Sequence, residues 1–546
     1  MKTIVMLSLM ILIPLSNIFS QVSQQWVSTY NSSGVQNDES KAVTTDLQGN
    51  VYVTGLITLS GTNTDITTVK YNPTGAQQWA VTYSGPSLRG DVPVGIAVDD
   101  SGNVYVTGSS RDASNIADYI TIKYNSAGVQ QWAKIYTGPT LGNNFDEPTG
   151  IVIDHAGNII VTGYSYNSGT YYDFLTIKYS PSGDSLWVTR SVGAVASPED
   201  IPKAIFVDNS DNIYLTGKRI AGGASEDDIG TIKYDSAGNE LWHAFYSSPG
   251  GYNDYAYSIA VTDSGNVYVT GYVEGPGSTR NYATVKYNPA GVEQWARTYN
   301  GPGNDWDEAY SVAVDHSGNA YITGYSYGAG TEGDATTIKY TPAGDTAWVK
   351  RYNGPSGSGW DEGITIRTDP FGNVYVAGNS YAPNGDILLI KYSPAGDSLW
   401  GFRYNGPNNL NDETKNMILD AQGNVYITGR TNTNTNGYNF ITLKYGLPTT
   451  IIPANSNVPG AFSLSQNYPN PFNPMTKIKF DIPKAFNTKL VIYDILGKEV
   501  AILVNEDLKP GTYEVDFDAA NLPSGTYFYR LDTDGISETK KMLLIK

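Results

Sequence analysis

The stretch Gly49-Asn50-Val51-Tyr52-Val53-Thr54-Gly55 returns with small changes at Gly102, Gly157, Asp211, Gly265, Gly318, Gly372 and Gly423. Successive copies lie 51 to 55 residues apart. A tryptophan keeps the same interval, at Trp26, Trp79, Trp132, Trp187, Trp242, Trp295, Trp348 and Trp400. A fixed period of this length means one supersecondary unit stacked many times, each copy burying its apolar faces on its neighbours.

Each unit divides into four strand-like runs, a to d. In the sixth, residues 310–314 read as strand a, 315–318 as a turn, 319–323 as strand b and 336–340 as strand c. A second tight turn, 341–344, leads into strand d near Trp348. Short glycine turns join antiparallel neighbours of one sheet. The passage 352–361 lacks a hairpin signal and reads as the step to the next sheet. Composition agrees, because 42 Tyr, 58 Gly and 16% charged residues suit sheets with many turns.

Four-stranded sheets repeated radially are the blades of a β-propeller. Runs such as 120–124 are apolar on both faces, as expected of a sheet sandwiched between two others. The chain enters on a d strand around Trp26 and leaves on a c strand, 441–445, with no tryptophan behind it. Residues 25–30 are therefore expected to complete the last blade and cover its edge. The chain reads as all-β, an eight-bladed propeller over 21–446, with a seven-bladed ring as the alternative.

The recurring Asp-x-x-Gly-Asn-Val-Tyr-Val-Thr-Gly, with Thr-Ile-Lys-Tyr behind it, resembles the bacterial β-propeller repeats called SBBP. That resemblance implies the fold and no single catalytic activity. Its name implies seven blades, against eight copies here.

After Tyr445 the period stops, and 447–460 reads as a linker broken by Pro448, Pro453 and Pro459. Residues 477–482, 489–493, 511–517, 525–531 and 540–545 alternate with period two, which predicts a small β-sandwich. Segment 461–546 resembles the type A C-terminal sorting domain of type IX secretion substrates. The matching residues are Tyr468-Pro469-Asn470-Pro471-Phe472-Asn473-Pro474, Tyr493-Asp494-Ile495-Leu496-Gly497-Lys498-Glu499-Val500, Leu522-Pro523-Ser524-Gly525-Thr526-Tyr527 and Lys541-Met542. This resemblance implies Sec export, the type IX machinery as partner, and removal of the domain with release or surface attachment. A generic carbohydrate-binding sandwich is the alternative.

At the other end, Lys2, the apolar residues 4–15 and Ser20 ahead of Gln21 read as a signal peptide over 1–20, with an uncleaved anchor as the alternative. The expected location is extracellular or the outer cell surface, with no membrane span in the mature chain. A net charge of -18 argues against a nucleic-acid partner. The absence of cysteine removes disulfides, thiolate metal sites, a cysteine nucleophile and a lipoprotein anchor.

The d–a and b–c connections share one face, the expected working surface. An aspartate opens each a strand there: Asp38, Asp91, Asp146, Asp200, Asp254, Asp307, Asp361 and Asp412. Such a ring could hold a cation, but Asp also caps loops by accepting backbone N–H bonds. Repetition in every unit favours the structural role. Strand c carries Lys70, Lys123, Lys178, Lys233, Lys286, Lys339, Lys391 and Lys444, which need partners or a route to water. The turn carboxylates Asp46, Asp99, Asp154, Asp208, Asp315, Asp369 and Asp420 lie at the same end, predicting pairs such as Asp154 with Lys178.

Asymmetric positions point to a ligand site. Trp306 and Trp360 precede the ring aspartate in two adjacent units and Phe145 does so in a third, while Tyr325, Tyr327 and Tyr381 sit on nearby b–c connections. Flat aromatics beside Asn and Asp are what sugar rings or peptides dock against, and packing between blades is the competing explanation. His155, His243 and His316 are the only histidines, and neither metal-ligand spacing nor a nucleophile elbow is present. No catalytic residue, metal or cofactor is assigned. The hairpin Ser393-Pro394-Ala395-Gly396-Asp397-Ser398-Leu399-Trp400 matches a sialidase-like aspartate box in place and tryptophan only, since the aspartate two residues after the serine is missing. The expectation is an exported, non-catalytic binding or adhesion scaffold for an extracellular glycan or protein. A glycan- or peptide-processing hydrolase on the long-loop face and a passive structural surface protein are the alternatives.

Overall fold

Strands b and c do not alternate. In Val104–Arg111 every residue but the last is buried, and Gly385–Tyr392 is buried at all positions but one. Valine, isoleucine, threonine and tyrosine fill both faces, which is stable only if each sheet lies between two others. The computed structural model has that arrangement. It describes residues 23–446 and 459–545, apart from 33–36, 61–62, 88, 140–144, 194–198, 221–225, 277–278, 358, 382, 421–422, 434–436, 474, 485, 496, 498, 509, 520–523 and 534. The signal peptide read over 1–20 and most of the 447–460 linker lie outside the described residues. The chain divides into two compact units between Tyr445 and Gly446.

The first unit is all-β, with eight four-stranded antiparallel sheets. The sixth sheet consists of Asp307–Val314, Ala320–Tyr327, Gly333–Tyr340 and Thr346–Tyr352, paired in chain order. The last pairs Ser23–Tyr30 with Tyr438–Gly446, followed by Val425–Asn432 and Asp412–Leu419. Strand a opens at Asp307 as expected, whereas strand b runs further than the repeat pattern predicts, so Tyr325 and Tyr327, read on the b–c connection, stand on a strand. In strand a the register slips between Ala309 and Ser311, and a β-bulge leaves Tyr310 without a partner across the ladder.

Neighbouring sheets share apolar cores. Ala260, Tyr268 and Trp295 pack with Ala309, Val312, Ile322 and Ile338 of the next sheet. Val43, Val53 and Tyr71 of the first sheet pack with Tyr426 and Phe440 of the last. The periodic tryptophans make the same step in polar form. The indole N–H groups of Trp26, Trp79, Trp132, Trp187, Trp242, Trp295 and Trp348 donate to the carbonyls of Pro73, Ser126, Pro181, Ser236, Pro289, Pro342 and Pro394, each in the c–d turn of an adjacent sheet. The turn glycine must be bare: at Gly128, with φ of 80°, a Cβ would come within 2.9 Å of the Trp79 ring.

The expected lysine pairing holds only in part. Lys178 meets Asp154 at 2.7 Å with both side chains buried, and Lys391 lies 3.5 Å from Asp369. Lys70, Lys123, Lys286 and Lys339 instead donate to Ser126, Pro181, Pro342 and Pro394 carbonyls, 5.0 to 5.3 Å above the tyrosine of their own strand b. The reason is competition for the carboxylate. Asp315 accepts from Ser317 N, from both amide groups of Asn319 and from Tyr321 OH, and the other turns repeat this pattern. In the third unit the tyrosine is replaced by Ile160, and the freed oxygen takes Lys178.

The second unit contains two sheets. One is Ser463–Leu464, Met475–Ile482 and Gly511–Asp518; the other is Glu499–Leu508, Phe486–Tyr493, Gly525–Thr533 and Ile536–Leu544. Ile478, Phe480, Val515 and Phe517 of the first share one core with Leu490, Ile492, Leu531 and Met542 of the second, a β-sandwich. Glu499–Leu508 was not read as a strand. Its pairing with Phe486–Tyr493 slips at Leu490/Val491 and Ile492/Tyr493, which breaks the period-two signal.

Removing Lys178 leaves the Asp154 carboxylate buried without a cation. Lys178→Met is expected to cost about 3–5 kcal/mol in urea unfolding, against about 1 kcal/mol for Lys123→Met, which loses a hydrogen bond to a carbonyl. Burial works against the Asp154 charge, but bonds from Lys178 and Asn158 hold its carboxyl below the ordinary value. That contribution is present above the unfolded aspartate pKa and is lost as pH falls through the lower folded one, so the Lys178→Met deficit should shrink below about pH 4.

Candidate functional site

The ring aspartates stand where strand a begins, and all eight are buried. Asp307 takes Gly301 N at 2.6 Å and Tyr327 N at 3.0 Å, binding the d–a passage to the end of strand b. Asp38 does the same with Ser32 and Thr58, and Asp146 with Gly138 and Tyr166. Asp91, Asp254, Asp361 and Asp412 accept from Gly85, Ser248, Gly354 and Gly406. Asp200 accepts from Ile220 N and lies 3.5 Å from Arg219 Nε. Burial outweighs these bonds and pushes the carboxyls of Asp91, Asp200, Asp307, Asp361 and Asp412 up. Asp254 is pushed up to about 6 by burial, with Asp228 adding to the effect.

Beside this ring runs a mixed aromatic and ionic strip across the fifth, sixth and seventh sheets. Trp306 is 43% exposed and lies 4.8 Å from the Arg280 guanidinium. Arg280 also stacks on Tyr272 at 4.5 Å and bonds Glu308, with Glu274 3.4 Å away. Glu308 in turn accepts from Tyr325, its cross-strand neighbour. The Tyr325 ring packs on Trp360 at 4.6 Å, and Tyr327 meets the same indole edge-on at 5.7 Å. The Trp360 side chain bonds Glu362, which also takes Asn379 Nδ2 at 2.9 Å. Burial pushes the Glu362 carboxyl above its ordinary range.

Three of the five sequence-selected aromatics, Tyr325, Tyr327 and Trp360, thus form one cluster. Tyr325 is buried and supports the others, while Trp360 and Tyr327 are half-buried. Trp306 joins them through Arg280 and Glu308. Tyr381 is tied by backbone only, its N–H donating to the Trp360 carbonyl at 2.9 Å. Phe145 stands apart in the third unit, under Arg111 at 5.5 Å. The reading from sequence missed Arg280, Glu308, Glu362 and Asn379. Their signal was present, since Glu follows the ring aspartate at Glu39, Glu147, Glu308, Glu362 and Glu413. The three histidines are exposed and face carboxylates, His155 with Asp211, His243 with Glu240 and His316 with Asp263.

Comparison with known proteins fits this architecture. A beta-propeller repeat model matches residues 81–112 and 294–330, and a secretion system C-terminal sorting domain model matches 466–546. The chain is therefore a β-propeller protein. It carries SBBP-type repeats and ends in a type IX sorting domain, which indicates export by type IX secretion to the cell surface or extracellular space and implies contact with that machinery. An uncharacterized WD repeat-containing protein of Acanthamoeba polyphaga mimivirus is 25% identical over 413 residues, and the match spans 62% of this chain and 28% of that protein. Among solved structures, the WD40 domain of SCAP from fission yeast aligns at 10% identity over 77% of this chain and 98% of its own, with a TM-score of 0.42. A eukaryotic initiation factor aligns at 8% identity over 87% and 90%, with a TM-score of 0.41. Among the described residues no helix is long and apolar enough to cross a membrane.

The ring aspartates predict an unusual pH response. A carboxyl whose folded pKa is raised stabilises fully below the unfolded value of about 3.9 and loses that contribution as pH rises through the folded pKa. For Asp254 that point is about 6. The thermal midpoint of the repeat unit is therefore expected to be higher at about pH 5 than at about pH 7.5 in calorimetry, and Asp254→Asn should remove part of the difference.

Proposed function

We propose that this exported protein is a non-catalytic binding scaffold whose β-propeller unit forms an eight-bladed ring. In this reading Ser23–Tyr30 completes the eighth blade, as its pairing with Tyr438–Gly446 supports. The ligand site is the strip from Trp306 to Glu362. The observation that carries it is the alternation of partly exposed indoles with carboxylates and an arginine, in the two units where the repeat departs from its own pattern. Indoles offer flat apolar faces to sugar rings, and fixed carboxylates accept hydroxyl bonds around them. An extracellular glycan is the ligand this chemistry fits best.

A glycan array probed with the mature repeat unit tests the reading. Trp306→Ala and Trp360→Ala are each expected to weaken binding by about tenfold or more. Retention of binding by both variants, or no glycan bound at all, overturns it. The raised carboxyl of Glu362 beside an indole favours a glycan-processing hydrolase as the second reading. Turnover of a polysaccharide that Glu362→Gln abolishes would establish that reading in place of the first.

A further inference from the structure

The eight a–b turns differ at one position with a chemical consequence. Seven open on an aspartate, and the fifth opens on Thr262. In the sixth unit the two oxygens of Asp315 divide the work. Oδ1 takes the backbone N–H groups of Ser317 and Asn319, and Oδ2 takes Asn319 Nδ2 at 2.8 Å and Tyr321 OH at 2.9 Å. Thr262 Oγ1 reproduces the first role by accepting Asn266 N at 3.1 Å. It has no second oxygen. Asn266 Nδ2 turns to Ser264 Oγ, and Tyr268 OH donates to the Gly318 carbonyl.

The turn of the fifth unit offers Lys286 no carboxylate, and the lysine takes the same turn carbonyl that Lys70, Lys123 and Lys339 take in their units. The lysine is buried, lies 5.3 Å over the Tyr268 ring and donates to the Pro342 carbonyl. Burial lowers its pKa, and no carboxylate offsets the effect. At this place the structure holds a cavity of about 450 Å³, lined by Thr262, Asn266, Tyr268 and Lys286 together with the turn around His316 and Pro370 of the two following units. It lies among the tight hairpins, at the opposite end of the strands from Trp306 and Trp360.

The chain itself shows what a lysine at this position takes. In the third unit the Asp154 carboxylate, held by Asn158, sits 2.7 Å from Lys178. We infer that the cavity of the fifth unit binds a carboxylate supplied by a ligand, with Lys286 Nζ, Asn266 Nδ2 and Tyr268 OH replacing the contacts made elsewhere by the turn aspartate. The remaining lining selects the rest of the molecule. The Asp315 oxygens are already engaged by their own turn, and Asp263 faces His316 at 3.5 Å. Asp263, Asp315 and Asp369 all line the cavity; their remaining lone pairs accept hydroxyl donors, and their charge repels a second negative group. A uronic acid unit combines one carboxylate with several hydroxyls and is the class this site fits. This site is separate from the strip on the long-loop face, and neither depends on the other.

Calorimetric titration of the mature protein with D-glucuronate and with D-glucose tests the inference. Glucuronate is expected to bind, and glucose to bind about 10- to 100-fold more weakly, the worth of a hydrogen bond to a charged group. Affinity should fall as pH rises through the lowered Lys286 pKa, earlier than for an ordinary lysine. Lys286→Met should abolish the preference for glucuronate. Thr262→Asp restores the carboxylate of the other turns, and it is expected to raise the thermal midpoint while closing the site to glucuronate. Equal binding of the two sugars, binding of neither, or undiminished glucuronate binding by Thr262→Asp overturns the inference.

Discussion

One contact carries the assembly from each sheet to the next: an indole N–H on the outer strand donates to a carbonyl in the adjacent c–d turn. Apolar packing between sheets is non-directional and would tolerate sliding. The indole bond is directional, and a Cβ on the glycine beneath it would meet the ring. Together they fix how each tryptophan sits on the adjacent turn. Trp26 makes the same bond from the last sheet to Pro73 of the first, so the first and last sheets are joined by the same rule as any internal pair. Trp400 of the seventh sheet packs on Tyr375 and Phe402.

A second layer of order comes from saturation. The turn aspartates, the ring aspartates and the strand c lysines recur so regularly that they suggest chemistry, yet the partners they have are mostly local backbone and neighbouring turns. The set is broken where one member is missing or exchanged. Ile160 for tyrosine gives a buried ion pair, Thr262 for aspartate leaves a cavity beside Lys286, and Trp306 and Trp360 give an exposed and a half-buried indole.

The period, the four strands per sheet and the pairing of Ser23–Tyr30 with the final strand were legible because each rests on a repeated pattern that noise in any one copy cannot hide. Strand ends were less so. Tyr325 was read as loop because an aromatic residue at a strand terminus looks like part of a connection. Most lysine partners were misread, since a sequence shows which charges lie at one end of a strand but not which donors reach a carboxylate first. Tyr321 OH reaches Asp315, and that hydroxyl decides where Lys339 goes. The Arg280–Glu308 link was invisible for a related reason. It joins two sheets, and no spacing along the chain encodes it.

The β-bulge in strand a recurs in all eight sheets, and the released residue is Lys41, Val94, Thr149, Lys203, Tyr257, Tyr310, Ile364 or Lys415. The flanking positions hold only Gly, Ala, Ser, Thr, Pro or Asn, whereas the bulged position ranges over aliphatic, hydroxyl, aromatic and cationic side chains. A residue excused from the ladder can be exchanged without disturbing register, so the scaffold separates a frame of small residues from a set of interchangeable positions. Neighbouring members touch across sheets, as Tyr257 does with Tyr310, or share a carboxylate, as Lys41 and Lys415 do at Glu39. The architecture therefore offers a way to diversify one position per sheet, a side chain at a time, while the frame stays the same.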